Sequence, residues 1–218
     1  MPFDVRMEWP ASGICAGSSG SGKTTLIWKL LSGRKKMFKV KVDKVVFYYT
    51  QYQTNMFKQM LADDSVHQFI EGMPTIDDIK SLTSNAAKKV LIVIDDNMKN
   101  VNSDLSEIFT TFRHRNASVF FLTQNLFHQH KDYRTMSLNA NYIIIMKNPR
   151  DQSQIMNFAK QFSPNDTKYV TDAFKKATAN RPFSYMFFDL RQETNDCLRM
   201  RTNIFEDEWP MSVFMKDM

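Results

Sequence analysis

Gly17, Gly22, Lys23 and Thr24 stand at the spacing G-x-x-x-x-G-K-T within Gly17-Ser18-Ser19-Gly20-Ser21-Gly22-Lys23-Thr24. Glycines at these places let consecutive backbone N–H groups wrap an anion at the start of a helix. In such a loop Lys23 holds the β- and γ-phosphates of a nucleotide, the Thr24 hydroxyl ligates magnesium, and Thr25 follows beside the phosphates. With glycine at about 7% of ordinary chains, the pattern arises by chance on the order of once in a hundred chains of this length. A merely flexible Gly/Ser loop is the alternative, but here an apolar strand precedes the loop and an apolar-periodic helix follows it.

Phosphate chemistry at such a loop also needs a carboxylate near the metal. The run Lys89-Val90-Leu91-Ile92-Val93-Ile94-Asp95-Asp96 supplies one. It is β-branched and does not alternate, as expected for a strand buried on both faces, and the C-terminal ends of such strands face the ligand crevice. Asp95 is placed to reach Mg2+ through its water shell. Asp96 points elsewhere and either polarises the attacking water or serves as a turn or helix-entry residue. Gln124 lies just beyond the apolar run Ser118–Thr123. Its carboxamide both donates and accepts, so it could sense the γ-phosphate or orient the same water; a strand-end glutamine without a role is the other reading. Arg113 and Arg115, flanking His114, suit an arginine finger offered to a neighbouring subunit, or else are surface or DNA-facing charges.

Short apolar strands alternate with helical patterns along the chain, which predicts an α/β fold with a mostly parallel sheet covered by helices on both faces. Strands are expected at Ser12–Ala16, Lys44–Tyr49, Val66–Ile70, Lys89–Asp95, Ser118–Thr123 and Tyr142–Met146. Helices are expected at about 22–31, ended by Gly33, at 55–61, from Pro74-Thr75-Ile76-Asp77-Asp78 onward, and at 102–113, 152–161 and 164–177. Phe183–Leu190 and Cys197–Ile204 flank the polar turn 191–196, a hairpin signal, and an acidic tail begins at Glu206. The basic segment Arg34-Lys35-Lys36 with Lys39, Lys41 and Lys44 reads equally as a solvated loop or as a DNA contact.

At 218 residues the chain suits one α/β domain, 1–218. Apolar residues make up 43% and charged residues 24%, and no stretch nears the roughly 18 apolar residues that span a bilayer. The start, Met1-Pro2-Phe3-Asp4-Val5-Arg6, lacks the pattern of a secretory signal, so a soluble, non-secreted chain with no membrane partner is expected. Two cysteines, Cys15 and Cys197, cannot frame a disulfide network or a four-ligand zinc site, and His128 and His130 beside Gln129 do not have metal-site spacing. Cys15 should be a buried thiol, and the fifteen scattered methionines should fill core gaps. A net charge of +6 and a pI near 9.2 fit a polyanionic partner.

The block Arg113-His114-Arg115-Asn116-Ala117-Ser118, an apolar strand and Thr123-Gln124 resembles the FtsK/HerA superfamily of ring-forming DNA-pumping ATPases. With Asp95-Asp96 and Lys147-Asn148-Pro149-Arg150-Asp151, it looks like the genome-packaging ATPases of Polinton-like viruses and virophages, related to the poxvirus packaging ATPase. The resemblance covers roughly residues 12 to 165. It implies a P-loop NTPase of RecA/FtsK-like three-layer build with a C-terminal β-hairpin, using ATP and Mg2+. It further implies a homo-oligomeric ring, taken as a hexamer, with double-stranded DNA in its pore and a viral capsid as the destination. Such a protein would work at an assembly site in the infected cell, cytoplasmic or nuclear, or be carried in the virion. Many relatives carry glutamate where Asp96 stands, and there is no room for a separate DNA-reading domain, which implies little sequence specificity. Two other classes fit a phosphate loop of this kind: a nucleoside or nucleotide kinase, which needs an arginine-rich lid that is not evident here, and a nucleotide-gated capsid assembly factor.

Overall fold

The apolar runs become the centre of one sheet. A computed structural model describes residues 4–95, 103–127, 131–179 and 181–215, with the side chains of 103, 104, 113, 114 and 131 excepted. The strands are β1 (Ser12–Ala16), β2 (Lys44–Tyr49), β3 (Gln68–Glu71), β4 (Val90–Asp95), β5 (Ala117–Thr123), β6 (Tyr142–Met146), β7 (Tyr185–Asp189), β8 (Met200–Thr202) and β9 (Ser212–Val213). The helices are α1 (Lys23–Ser32), α2 (Arg34–Met37), α3 (Thr54–Ala62), α4 (Ile76–Leu82), α5 (Ser103–Thr111), α6 (Lys131–Asn139), α7 (Ser153–Phe162) and α8 (Thr167–Thr178).

The sheet order is β3-β2-β4-β5-β1-β6-β7-β8-β9. Strands β3 through β6 in that order pair in parallel, and β7, β8 and β9 add antiparallel. The central strands β1, β4, β5 and β6 are buried almost throughout, which is why they carry no polar alternation. Successive residues still point to opposite faces. Ile14, Val46, Tyr48, Ile92 and Ile94 pack with α4 to α8 through Ile79, Phe109, Met136, Phe158 and Phe174. Cys15, Val45, Phe47, Leu91 and Val93 pack with Ile27, Leu30 and Leu31 of α1 and Phe57 and Met60 of α3. The result is helix, sheet and helix in three layers. Cys15 is a free thiol with no exposure, and six methionines, Met7, Met60, Met136, Met146, Met186 and Met200, are buried.

Several elements differ from the sequence reading. Helix α6 was not expected, because its sequence KDYRTMSLN is mostly polar; among its described side chains only Tyr133 and Met136, three apart, are buried. Strand β3 begins two residues later than the apolar signal at Val66, which instead buries its side chain ahead of the strand. The basic segment is not a loop throughout. Arg34 starts α2, is 8% exposed, and pairs with Asp64 at 3.0 Å. Lys36 pairs with Glu206 at 2.5 Å and Lys39 pairs with Glu8. These pairings within the chain leave less of the segment's charge to meet a polyanion. Among the described residues, no helix is long and apolar enough to cross a membrane.

Candidate phosphate site and its surroundings

Strand β1 ends at Ala16 and the chain turns through Gly17–Gly22 into α1. Gly17 is wedged: a Cβ there would stand 2.6 Å from the Met146 Cβ and 2.7 Å from the Ser21 Oγ. Gly22 has φ +91°, a left-handed conformation that L side chains rarely adopt, and it precedes α1 with no side-chain cap. The first N–H groups of α1 are therefore left to an anion. The Ser21 N–H donates to the Ser18 carbonyl at 3.1 Å, closing the loop on itself. Ser19, Gly20 and Thr25 are exposed, and Ser18, Gly22, Lys23 and Thr24 are half-buried.

The Lys23 ammonium folds back onto the loop, where Nζ donates to the carbonyls of Gly17 at 2.7 Å and Ser18 at 3.0 Å. Burial pushes its pKa below the usual lysine value, while the Asp95 carboxylate acts the other way. Cys15, directly beneath, is pushed up to about 12 by burial and stays a neutral thiol. The coupling of Lys23 to Asp95 places the end of β4 within electrostatic reach of the loop.

The strand order explains this arrangement. β5 lies between β1 and β4, with Ala16 opposite Thr123 and Leu122 opposite Asp95. Gly17, Asp95 and Gln124 therefore share one edge of the sheet, with Gln124 between the other two. The Gly17 N–H donates to the Thr123 carbonyl at 3.1 Å, so the phosphate loop and the end of β5 are joined directly. Gln124 is exposed one residue past β5. Asp96 lies outside the described residues. Thr24 and Asp95 offer one hydroxyl and one carboxylate. Among the described residues there is no cluster of three or more His, Cys, Asp or Glu suited to a metal. A sparse oxygen donor set fits Mg2+, which keeps several waters and takes its other ligands from phosphate.

Arg115 is not part of this edge. It closes the 3₁₀ turn Phe112–Arg115 ahead of β5, at the opposite end of that strand from Gln124. Seven residues of strand separate the two ends by roughly 20 Å, too far for a side chain to reach its own loop. Arg113 occupies the same turn, and its side chain lies outside the described part. Two neighbours were not singled out from the sequence. Gln154, near the start of α7, is 7% exposed and binds the segment after β5. Phe183 stands beside Gly22 in the loop before β7. Neither belongs to a motif; each is brought there by pairing of β6 with β7 and by packing of α7.

The model of the poxvirus A32 protein family matches residues 10–163, a span that holds the loop, Asp95, Arg115 and Gln124. Among solved structures, the genome-packaging NTPase B204 from Sulfolobus turreted icosahedral virus 2, in complex with ATP-gammaS, has a TM-score of 0.53 and 13% identity. The match covers 95% of this chain and 98% of that one. The KaiC-like protein PH0186 from Pyrococcus horikoshii OT3 gives a TM-score of 0.46 at 10% identity, over 88% of this chain and 84% of that one. A sequence search of curated proteins found no match. The fold is that of the α/β P-loop NTPases, with a mostly parallel central sheet and antiparallel strands added at the C-terminal side.

Proposed function

The chain belongs to the poxvirus A32 protein family, and on that premise we propose that it is an ATPase that drives double-stranded viral DNA into a capsid. The observation that carries this reading is the insertion of β5 between β1 and β4, which sets Gln124 between the phosphate loop and Asp95. Likeness to a packaging NTPase solved with an ATP analogue supports ATP as the nucleotide. The whole chain acts as one ATPase domain.

In this reading the N–H groups of residues 17–25 cradle the phosphates. Lys23 exchanges its two carbonyl contacts for the β- and γ-phosphates. Thr24 and Asp95 would hold Mg2+, and the ion would supply positive charge against the phosphate oxygens. Gln124 orients water in line with the γ-phosphate, and Asp96 takes up its proton. The arginine finger, Arg115 or Arg113, comes from a neighbouring copy, since β5 holds Arg115 about 20 Å from its own site. Each site is thus completed by a second subunit, which supports a closed ring, read as a hexamer. Net charge of +6 supports a duplex-DNA partner bound without sequence preference. The protein would act at the assembly site inside the infected cell or travel in the virion.

The test is displacement of a triplex-forming strand from linear duplex DNA. ATP should drive displacement with the wild-type protein and not with Lys23→Ala. Hydrolysis without displacement on any duplex would sink the translocase reading and leave the ATPase reading standing.

A further inference from the structure

Beside the phosphate loop lies a groove of about 540 Å³ that the reading above does not use. One wall is the loop itself, including Ser21. The others are Lys147 and Pro149 after β6, and Arg181, Pro182 and Phe183 before β7. We propose that this groove receives the nucleobase of the bound triphosphate, stacked on the Phe183 ring, and that it takes adenine and guanine with little discrimination. The inference rests on Gly17–Thr24 being the phosphate site.

Phe183 carries the argument. Its side chain is 63% exposed, and its backbone has φ +58°, a region that is an outlier for a bulky residue. Such a conformation persists where the surroundings hold it, and it concentrates at ligand sites. Here the surroundings do hold it. The Ser184 hydroxyl donates to the Arg181 carbonyl at 2.8 Å and to the Thr178 carbonyl at 3.3 Å. The Lys147 N–H donates to the Ser184 carbonyl at 2.8 Å, tying this loop to the end of β6. The outcome is an aromatic ring lying against Gly22, 3.3 Å from where a Cβ there would stand. A base continuing from phosphates on the loop meets that ring's open side. Pro149 and Pro182 add rigid apolar wall.

The remaining lining supports low selectivity. Among the described lining residues there is no carboxylate and no carboxamide side chain. A carboxylate is the side chain that takes both of guanine's distinguishing N–H donors at once. Lys147 and Arg181 are donors only, and both purines offer N7 to a donor. Ser21 is 8% exposed, and its hydroxyl, buried against Gly17, has no hydrogen-bond partner among the described residues. Stacking carries affinity without reading the base edge, because every base has a π-face.

The experiment measures KM for ATP and GTP and competition by inorganic tripolyphosphate, which has phosphates and no base. Phe183→Gly suits the test because glycine adopts the positive φ without strain, so the loop is not disturbed. Wild-type KM values for ATP and GTP should lie within about fivefold of each other, and Phe183→Gly should raise both by roughly tenfold. The same change should erase the preference for ATP over tripolyphosphate, and Phe183→Tyr should restore it. Unchanged KM values in Phe183→Gly would overturn the stacking platform, and a wild-type preference of more than about twentyfold for one purine would overturn the low selectivity. Lys23→Ala separates the two levels: retained turnover there means the phosphate site itself is misplaced.

Discussion

Gln154 clasps the backbone that presents Gln124. Its Nε2 donates to the Gln124 carbonyl at 3.3 Å, and its Oε1 accepts the Leu126 N–H at 3.1 Å. The Thr123 hydroxyl adds contacts with the Asn125 carbonyl and the Tyr133 hydroxyl, both at 3.1 Å. Because the Thr123 carbonyl also accepts the Gly17 N–H, the segment that carries Gln124 is tied directly to the Gly17–Gly22 loop.

Gln154→Ala is therefore expected to act on kcat. Loss of orientation at Gln124 should lower kcat by roughly tenfold while KM for ATP stays within about twofold. Gln124→Ala should lower it by roughly 10²-fold, the scale of a lost proton-positioning group. Steady-state kinetics on both variants and the double variant reads the coupling. If Gln154→Ala slows Gln124→Ala by a further tenfold, the two act independently and the clasp has no bearing on the water.

Arg115 yields a complementation test. Alone, Arg115→Ala should lose about 10³-fold in kcat, as should Lys23→Ala. Mixed in one assembly, the two variants should regain turnover, because an intact Arg115 from one copy meets an intact loop on the other. The same mixing with Arg113→Ala decides which arginine is the finger. An inert mixture, with co-assembly verified, contradicts a finger supplied in trans.

Lys23 sets a pH dependence. Burial holds its pKa below the ordinary lysine value, and phosphate binds the charged form. ADP affinity should therefore weaken as pH rises through that lowered value, beginning below the usual ~10.4. Lys23→Arg, charged at every accessible pH, should flatten the profile. Cys15, pushed up to about 12, contributes no thiolate in this range. An affinity that holds constant up to pH ~10.4 in the wild type would contradict the buried ammonium.

Asp63 fastens the phosphate-loop helix to the end of α3. It accepts from Trp28 Nε1 at 2.8 Å, Ser32 Oγ at 3.2 Å and the Ser65 N–H at 2.9 Å. Slight desolvation raises the pKa of this exposed carboxylate, but hydrogen bonds from Ser65, Trp28 and Ser32 outweigh that and hold it below the usual carboxylate value. A depressed folded pKa means stability that is present above the unfolded value of ~3.9 and lost as pH falls through the lowered one. Asp63→Ala should cost about 1 kcal/mol near neutrality and soften the acid transition. Urea unfolding followed by tryptophan fluorescence at pH 7 and pH 3 checks it; equal losses at both pH values would contradict the ionised contact.

Much of this was legible in the residues, for identifiable reasons. β1, β2 and β6 fall where the apolar runs place them, since strands covered on both faces leave no polar positions to blur their ends. The turn Gly17–Gly22 between β1 and α1 was legible as well, because its glycines answer to local sterics. What depends on distant partners was not legible. Helix α6 buries too few residues to raise a periodic signal above its polar composition. Arg34 is buried through Asp64, thirty residues away, which no spacing announces. The place of β5 between β1 and β4 is a matter of strand pairing, and so is the meeting of Phe183 with Gly22.

The most direct measurement is steady-state ATP hydrolysis by the purified protein with and without long double-stranded DNA across a salt series, with a nucleoside acceptor in a parallel reaction. The account predicts strong stimulation by DNA that fades as salt rises, with phosphate released to water. Indifference to DNA, with the phosphate recovered on the nucleoside, would contradict it and make the chain a kinase.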